Sequence, residues 1–283
     1  MIPANFDYHK ANTVDEAISL LQQYGSEAKL LAGGHSLLPA MKLRLNAPGK
    51  LIDIGRIGGL RYIREDGNVL TIGAASTHND IATSSLVKSK IPVLAQAAGM
   101  IGDVQVRNKG TIGGSLAHAD PAADWPASLL AADAELVLKG VNGNRTEKMA
   151  DFFTGIFMTS LKEDEVITEI RVPIPSSDTK STYIKFTQPA SRFAIVGCAI
   201  LLKLNSGICS DVRVAFTGVS DKAFRDSAVE SAMNGKLLDA INIEAAAKLA
   251  AEGVEILSDH FASEEYRKHL AKVYAKRALI DLL

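Results

Sequence analysis

Apolar residues recur at two different spacings in the first part of the chain. Residues 13–16, Thr-Val-Asp-Glu, have the pattern of a capping box, and apolar residues at helical spacing follow them as far as Gly25. This pattern predicts a helix that ends at the glycine. Shorter apolar runs predict strands at residues 28–32, 51–54, 69–74, 134–139 and 166–172. The alanine- and leucine-rich segment 86–102 predicts a further helix after Pro92.

Residues 173–178, Pro-Ile-Pro-Ser-Ser-Asp, interrupt this interleaved order and are typical of a linker. Beyond the linker, apolar runs predict a three-stranded meander at residues 183–187, 194–204 and 212–219. Helical patterns follow at residues 223–234, 243–256 and 263–282. The sequence therefore predicts an α+β protein with one domain at residues 1–176 and another at residues 177–283.

Composition excludes several classes of protein. Hydrophobic residues make up 47% and charged residues 22% of the chain, which is typical of a folded globular protein. The net charge is -1 and no dense block of lysine and arginine is present, so a nucleic-acid-binding function is not indicated. The longest apolar run, residues 193–202, is too short to cross a bilayer, and no secretory signal is visible at the start. We therefore expect a cytoplasmic protein.

The cysteine and histidine residues do not suggest a metal site. The chain has two cysteines, which predicts two reduced thiols in this compartment. A two-iron, two-sulfur cluster generally takes four cysteine ligands, so this chain cannot hold one by itself. None of the six histidines has a partner at zinc-binding spacing.

A glycine-rich loop separates two apolar runs in residues 29–42, KLLAGGHSLLPAMK. Ser36 can cap a short helix there, with Pro39 in its first turn. Glycines at positions 33 and 34 let the backbone approach a ligand closely, and free N–H groups before a helix suit a phosphate. The loop has neither the G-x-G-x-x-G pattern nor the lysine of a P-loop. A plain tight turn is the alternative.

A second glycine-rich segment strengthens the phosphate hypothesis. Residues 111–115, Thr-Ile-Gly-Gly-Ser, contain successive N–H groups that can form an anion-binding nest. Two such loops on one ligand could bind the two phosphates of a dinucleotide. We therefore predict that the two loops converge.

The two motifs together resemble a known family. KLLAGGHSLLPAMK and TIGGSLAHADPAADW are similar to the paired flavin loops in the FAD-binding medium subunit of molybdenum hydroxylases, especially the aerobic carbon monoxide dehydrogenase type, and are related to the flavin domain of xanthine dehydrogenase. The resemblance implies an FAD-binding fold of the vanillyl-alcohol-oxidase (PCMH) type in two subdomains, at about residues 1–55 and 56–176. It also implies a C-terminal domain of the carbon monoxide dehydrogenase flavoprotein type, made of a β-meander and helices.

The resemblance also implies the residues that contact FAD. Those on the two loops are Leu30, Leu31, Ala32, Gly33, Gly34, His35, Ser36 and Leu37, then Thr111, Ile112, Gly113, Gly114 and Ser115. Asp124 matches an acidic residue that bonds a flavin hydroxyl, although a solvated surface aspartate is the alternative. Ile101 and Ile167 match apolar positions near the cofactor, and core packing explains them equally well. Lys185 matches a cation near the flavin ring, where it would stabilise negative charge on the reduced flavin; an exposed strand lysine is the alternative.

Two residues depart from the family pattern. Ser115 stands where many relatives have asparagine, which keeps a polar side chain. Phe193 stands near where the carbon monoxide type places a tyrosine over the isoalloxazine. Stacking would survive this change, whereas a hydroxyl contact would not.

The function implied by the resemblance is electron transfer. FAD on this chain would take electrons from the iron–sulfur clusters of a small partner subunit and pass them to an external acceptor, while a large subunit with a molybdenum cofactor oxidises the substrate. No catalytic residue and no metal ligand is expected on this chain. A dimer of heterotrimers is expected, in the cytoplasm or at the inner face of the membrane through its partners. The substrate, whether carbon monoxide, a purine, an aldehyde or an N-heterocycle, is selected by the large subunit.

Two other functions remain open at this stage. One is a self-sufficient flavin oxidase of the same fold. The other is a serine hydrolase, because residues 34–36 resemble the start of a G-x-S-x-G nucleophile elbow around Ser36. Leu38 stands where that motif needs its second glycine.

Overall fold

The computed structural model describes residues 1–283 as a mixed fold of three main sheets with helices packed on each. The strands are β1 (Asp7–Lys10), β2 (Ala28–Leu31), β3 (Lys50–Asp53), β4 (Ile63–Asp66), β5 (Val69–Gly73), β6 (Glu135–Gly140), β7 (Gly143–Lys148), β8 (Phe153–Gly155), β9 (Met158–Thr159), β10 (Val166–Pro173), β11 (Thr179–Thr187), β12 (Ala194–Asn205), β13 (Ile208–Thr217) and β14 (Phe224–Arg225). The helices are α1 (Val14–Tyr24), α2 (Leu37–Lys42), α3 (His78–Thr83), α4 (Ser85–Lys90), α5 (Pro92–Met100), α6 (Val104–Lys109), α7 (Ile112–His118), α8 (Asp124–Ala131), α9 (Met149–Phe152), α10 (Ser227–Met233), α11 (Ala240–Ala247) and α12 (Glu264–Ile280). None of these helices is long and apolar enough to pass through a bilayer.

The first sheet is a small parallel sheet in the order β1-β3-β2. Helix α1 lies in the connection from β1 to β2. The Thr13 hydroxyl accepts the Glu16 N–H at 3.1 Å, as the capping pattern predicts. The Glu16 carboxylate accepts from the N–H of Asn12 at 2.7 Å, one residue before the position that a standard capping box uses. Gly25 has φ 51° and ends the helix. The predicted first helix and the strands beside it are confirmed.

The second sheet is antiparallel, in the order β4-β5-β10-β6-β7. The strands predicted at residues 69–74, 134–139 and 166–172 are present in it as β5, β6 and β10. They could be predicted because each is an apolar run with turn residues at its ends. A core of 34 buried residues packs on it and includes Trp125 and Phe152. Helices α3, α6, α7 and α8 lie in the long connection between β5 and β6. The sequence pattern did not predict them, since six to eight residues are too few for a clear apolar period.

The third sheet is the predicted meander with one short strand added, in the order β11-β12-β13-β14. Helix α10 begins at Ser227 and not at residue 223, because residues 224–225 pair with β13 and the Asp226 side chain caps the helix. Helices α10, α11 and α12 pack with the sheet in a second core of 25 buried residues.

The main core continues past the linker. Residues 174–178 separate β10 from β11 along the chain, but Tyr183, Leu201 and Ala215 from the third sheet belong to the same buried cluster as the second sheet. The two halves of the chain therefore share one interior at the place where α8 meets β11, β12 and β13.

Candidate flavin site

The first glycine loop presents a row of unpaired backbone donors. The five consecutive N–H groups from Gly33 to Leu37 make no hydrogen bond within the chain. Gly34 has φ 75°, a conformation that favours glycine. Ser36 stands directly before α2, but its side chain makes no capping hydrogen bond, so that part of the prediction is wrong. Such a row of amides suits an anionic ligand.

The two glycine-rich segments lie against each other. A β-carbon on Gly33 would overlap the carbonyl oxygen of Lys109 and lie 2.8 Å from the Gly110 α-carbon. A β-carbon on Gly114 would lie 3.9 Å from the β-carbon of Ala32. The loops are therefore close enough for one ligand to touch both.

The second segment is the first turn of helix α7, not a free loop. The Thr111 hydroxyl accepts the N–H of Gly114 at 3.1 Å and caps the helix. The N–H groups of Ile112 and Gly113 donate to Ser76 O and Ala74 O, at 3.1 and 2.9 Å. These amides are already bonded within the protein, so the predicted nest is wrong for this segment. The half-buried Ser115 side chain is a group of this segment that remains for a ligand.

Asp124 and Lys185 form a buried ion pair. The Lys185 ammonium lies 2.9 Å from one oxygen of the Asp124 carboxylate and 3.0 Å from the other. The side chains are 4% and 1% exposed, so a solvated aspartate and an exposed strand lysine are both excluded. Tyr183 donates its hydroxyl to the same carboxylate at 2.5 Å. A carboxylate can be buried here because two donors satisfy it.

Burial changes the pKa of each member of this group in the direction that favours the uncharged side chain. It raises the pKa of Asp124 and lowers the pKa of Lys185, and the attraction between the two charges opposes both shifts. Burial and the neighbouring carboxylate also raise the pKa of Tyr183, so its hydroxyl stays protonated and donates.

Phe193 lies at the end of a short loop beside this pair. The loop, residues 188–193, closes on itself through the Gln188 N–H, which donates to Phe193 O at 2.9 Å. Lys185 donates to the carbonyl oxygen of Arg192 at 2.7 Å, and the next residue after the loop, Ala194, donates to Ala122 O at 3.1 Å. Phe193 is 40% exposed, so it remains accessible to a ligand.

The two isoleucines of the predicted site differ in burial. Ile167, on β10, is 5% exposed and belongs to the main core, so packing accounts for it. Ile101 directly follows α5, is partly buried and packs against the same core. The Arg107 guanidinium donates to the carbonyl oxygen of Ile101 at 3.0 Å and so connects α6 to the end of α5.

Sequence reasoning missed the residues that support the site from behind. Tyr183 lies two positions before Lys185, so the two-residue period of a strand already places both on one face. The His78 ring accepts the indole N–H of Trp125 at Nδ1, at 3.0 Å, and the backbone N–H of His78 donates to Gly110 O at 3.0 Å. No spacing in the sequence indicated this second contact.

Comparisons with known proteins decide the family. A model of the FAD-binding domain in molybdopterin dehydrogenase matches residues 4–175, and one of the carbon monoxide dehydrogenase flavoprotein C-terminal domain matches residues 181–282. The chain belongs to this FAD-binding family. The α+β fold with an FAD-binding domain and a C-terminal flavoprotein domain is confirmed, and so is FAD as the cofactor. The chain is a component of an oxidoreductase.

Relatives and solved structures are similar over the full chain. The carbon monoxide dehydrogenase medium chain of Hydrogenophaga pseudoflava is 44% identical, covering 99% of this chain and 97% of that one. The glyceraldehyde dehydrogenase medium chain of Sulfolobus acidocaldarius is 37% identical, covering 100% of both. A solved structure of carbon monoxide dehydrogenase from Hydrogenophaga pseudoflava, lacking the Mo-pyranopterin moiety of the molybdenum cofactor, has a TM-score of 0.96 at 45% identity, covering 100% of this chain and 98% of that one.

The serine hydrolase alternative is not supported. The relatives are dehydrogenase subunits. His35 directs Nδ1 to the Gly33 carbonyl oxygen, 3.1 Å away, and not to Ser36. The self-sufficient oxidase is not favoured by the comparisons either.

Proposed function

We propose that this chain is the FAD-carrying medium subunit of a carbon monoxide dehydrogenase-like molybdenum hydroxylase. It takes electrons from the iron–sulfur clusters of a small partner subunit and passes them to an external acceptor. The observation that carries this proposal is the row of unpaired amides from Gly33 to Leu37, which docks against the junction of α6 and α7, in a chain 44% identical over its length to a carbon monoxide dehydrogenase medium chain.

The first loop fits the diphosphate of FAD. The amides of residues 33–37 would donate to the phosphate oxygens, and Leu30, Leu31 and Leu37, all half-buried, would line the same crevice. The second segment would contribute side-chain hydroxyls, such as that of Ser115, because the amides of Ile112 and Gly113 are used inside the protein.

The second group of residues fits the flavin end of the cofactor. Bound FAD supplies the redox chemistry, and the protein sets its position and electrostatics. Asp124 and Lys185 would place a fixed carboxylate and cation there, and Phe193 would offer a ring face. Helix α7 and residues 119–123 connect this group to the glycine loops.

The partners follow from the family and from the cysteines. Cys198 and Cys209 are both fully buried, so neither can serve as a cluster ligand at the surface. The electrons therefore come from a small iron–sulfur subunit, which in turn receives them from a large molybdenum-cofactor subunit. We place the assembly, a dimer of heterotrimers, in the cytoplasm or at the inner face of the membrane through its partners. Within this chain, we place the boundary between the FAD-binding domain and the C-terminal domain between residues 176 and 177.

The test is reduction of the flavin in the presence and absence of partners. The purified full chain should bind FAD, show a flavin absorption band and remain oxidised when carbon monoxide or glyceraldehyde is added anaerobically. The complex co-expressed with the large and small subunits should bleach with one of these substrates. Bleaching of the isolated chain would instead identify a self-sufficient oxidase, and a chain that binds no FAD under any condition would refute the proposal.

A further inference from the structure

Tyr183 and Gly197 are two buried residues behind the flavin site to which the family resemblance gives no role. Tyr183 and Lys185 alternate on β11, so both side chains leave the same face of the strand, toward Asp124 at the start of α8. From there the Tyr183 hydroxyl reaches the Asp124 carboxylate, although the two residues are 59 positions apart in the sequence. The carboxylate is thus held from two sides, by a phenol and by an ammonium group.

Gly197 makes room for this hydroxyl. It is the cross-strand partner of Lys185 on β12. A β-carbon at this position would overlap the Tyr183 hydroxyl and lie 2.8 Å from the Thr217 γ-methyl group. A glycine inside a strand often marks such a close approach. Any larger residue here would push the tyrosine away from Asp124.

The ammonium group of Lys185 connects the Asp124 carboxylate to the loop of residues 188–193, which contains Phe193. Its three polar contacts are the two Asp124 oxygens and the carbonyl oxygen of Arg192, all within 3.0 Å. Three acceptors match the three N–H bonds of an ammonium group. The ion pair therefore ties α8 to residues 188–193, which end in the exposed ring of Phe193.

We propose that Tyr183 and Gly197 are positioning residues of the flavin site, which fix the Asp124 carboxylate and, through Lys185, the loop that carries Phe193. This inference rests on the proposed function. Neither residue needs to touch the cofactor. Their effect is on how well the site is formed before FAD binds.

The first test compares Tyr183→Phe with Tyr274→Phe in the full chain. Tyr274 is a buried tyrosine on α12 whose hydroxyl makes no hydrogen bond within the chain, so its variant is a matched control. Tyr183→Phe should weaken FAD binding roughly tenfold, measured by quenching of flavin fluorescence, because one hydrogen bond to a buried charge is lost. If reduced flavin loses tenfold more affinity than oxidised flavin, the midpoint potential falls by about 30 mV. Tyr274→Phe should change neither quantity.

The second test uses Gly197→Ala to displace the same hydroxyl without removing it. Because the Thr217 methyl group would also be too close, the change is made in a Thr217→Ser background, which keeps the hydroxyl that donates to Pro121 O and Ala123 O. Relative to Thr217→Ser alone, it should weaken FAD binding by a similar factor. Adding Tyr183→Phe to this variant should then cause little further loss of FAD affinity, since both substitutions break the same hydrogen bond, the one from Tyr183 to Asp124.

The outcomes separate this inference from the proposed function. If the unmodified chain binds no FAD, the proposed function fails. If it binds FAD and Tyr183→Phe matches Tyr274→Phe in affinity and midpoint potential, the positioning role is refuted. Additive losses in the double variant would also refute it, because the two residues would then act independently. Cooperative urea unfolding of each variant checks that the comparison is made on folded protein.

Discussion

Gly33 is surrounded on the side where any other residue carries its β-carbon. Lys109 O and the Gly110 α-carbon occupy that space, and both belong to the backbone, which cannot turn aside as a flexible side chain can. The first glycine of the loop is therefore required for docking on the junction between α6 and α7, whereas Gly34 is required for its positive φ.

Gly33→Ala should separate the two loops. We expect a loss of about 1–3 kcal/mol in the free energy of unfolding from overpacking, and a fall in FAD affinity of more than tenfold. Urea unfolding and flavin titration measure the two effects. Gly58→Ala is the control, since a β-carbon there meets nothing within 4 Å. Equal behaviour of the two variants would mean that the loops do not need this contact.

His78 makes stability depend on pH. Burial lowers its pKa from 6.5 to about 4, with His35 and Arg107 as smaller contributions. Between these two values the unfolded chain binds a proton that the folded chain does not, so this contribution to stability is complete above pH 6.5 and is lost as pH falls toward 4. The loss is about 3 kcal/mol.

His78→Gln should remove this pH dependence. The variant is expected to be less stable at pH 7.5, because the bond from the Trp125 indole is disturbed. Its free energy of unfolding should then fall by about 3 kcal/mol less than that of the unmodified chain between pH 6.5 and pH 4, as measured by urea titration at a series of pH values. Parallel curves for the two proteins would show that His78 is not the group responsible.

At the scale of single elements, α7 shows how the fold overrides local preference. Its first turn contains Gly113 and Gly114, and glycine disfavours a helix interior by about 1 kcal/mol relative to alanine. The sequence therefore predicted a loop. The helix forms because Thr111 caps it and because the N–H groups of Ile112 and Gly113 bond to Ser76 and Ala74.

The Thr111 cap can be tested by two substitutions. Thr111→Ala removes the acceptor of the Gly114 N–H and should lower the free energy of unfolding by about 1 kcal/mol. Thr111→Ser keeps the hydroxyl and should remain close to the unmodified chain in thermal and urea unfolding. If serine and alanine are equally destabilising, the lost methyl group and not the cap is what matters.

Elements with long apolar runs could be predicted from the sequence, and short helices could not. The run at residues 194–204 became β12 (Ala194–Asn205) almost unchanged, because it is apolar along most of its length and is followed by a turn. Helix α3 (His78–Thr83) has only six residues, too few for a clear apolar period, and is held by a capping box between Thr77 and Asp80. The glycine loops were found from residue type alone. The Tyr183 contact was not, because its partner is distant in sequence and the sheet had to be known first.

For the whole molecule, the shared core contradicts a simple picture of two independent halves. The main buried cluster takes Tyr183, Leu201 and Ala215 from beyond the linker, together with Ala199 and Ala223. Asp124 has both of its side-chain donors on β11. The first half alone would therefore keep a buried carboxylate without partners and an open core.

A fragment of residues 1–176 should not fold to a native state. Natural domains are stable by only about 5–15 kcal/mol, and exposing the large side chains that face the missing strands removes a substantial part of this. The chain has a single tryptophan, Trp125, which is fully buried. Its fluorescence should be red-shifted in the fragment and should show no cooperative transition in urea. A fragment with blue-shifted emission and FAD affinity equal to that of the full chain would show that the first half is autonomous.

The Asp124–Lys185 pair also bears on the timing of cofactor capture during protein synthesis. A nascent chain that has left the ribosome only as far as the prolines at positions 173 and 175 contains both glycine loops but neither Tyr183 nor Lys185. The flavin end of the site is therefore completed by strands that emerge later. Loading of FAD is therefore expected after translation, on a finished polypeptide.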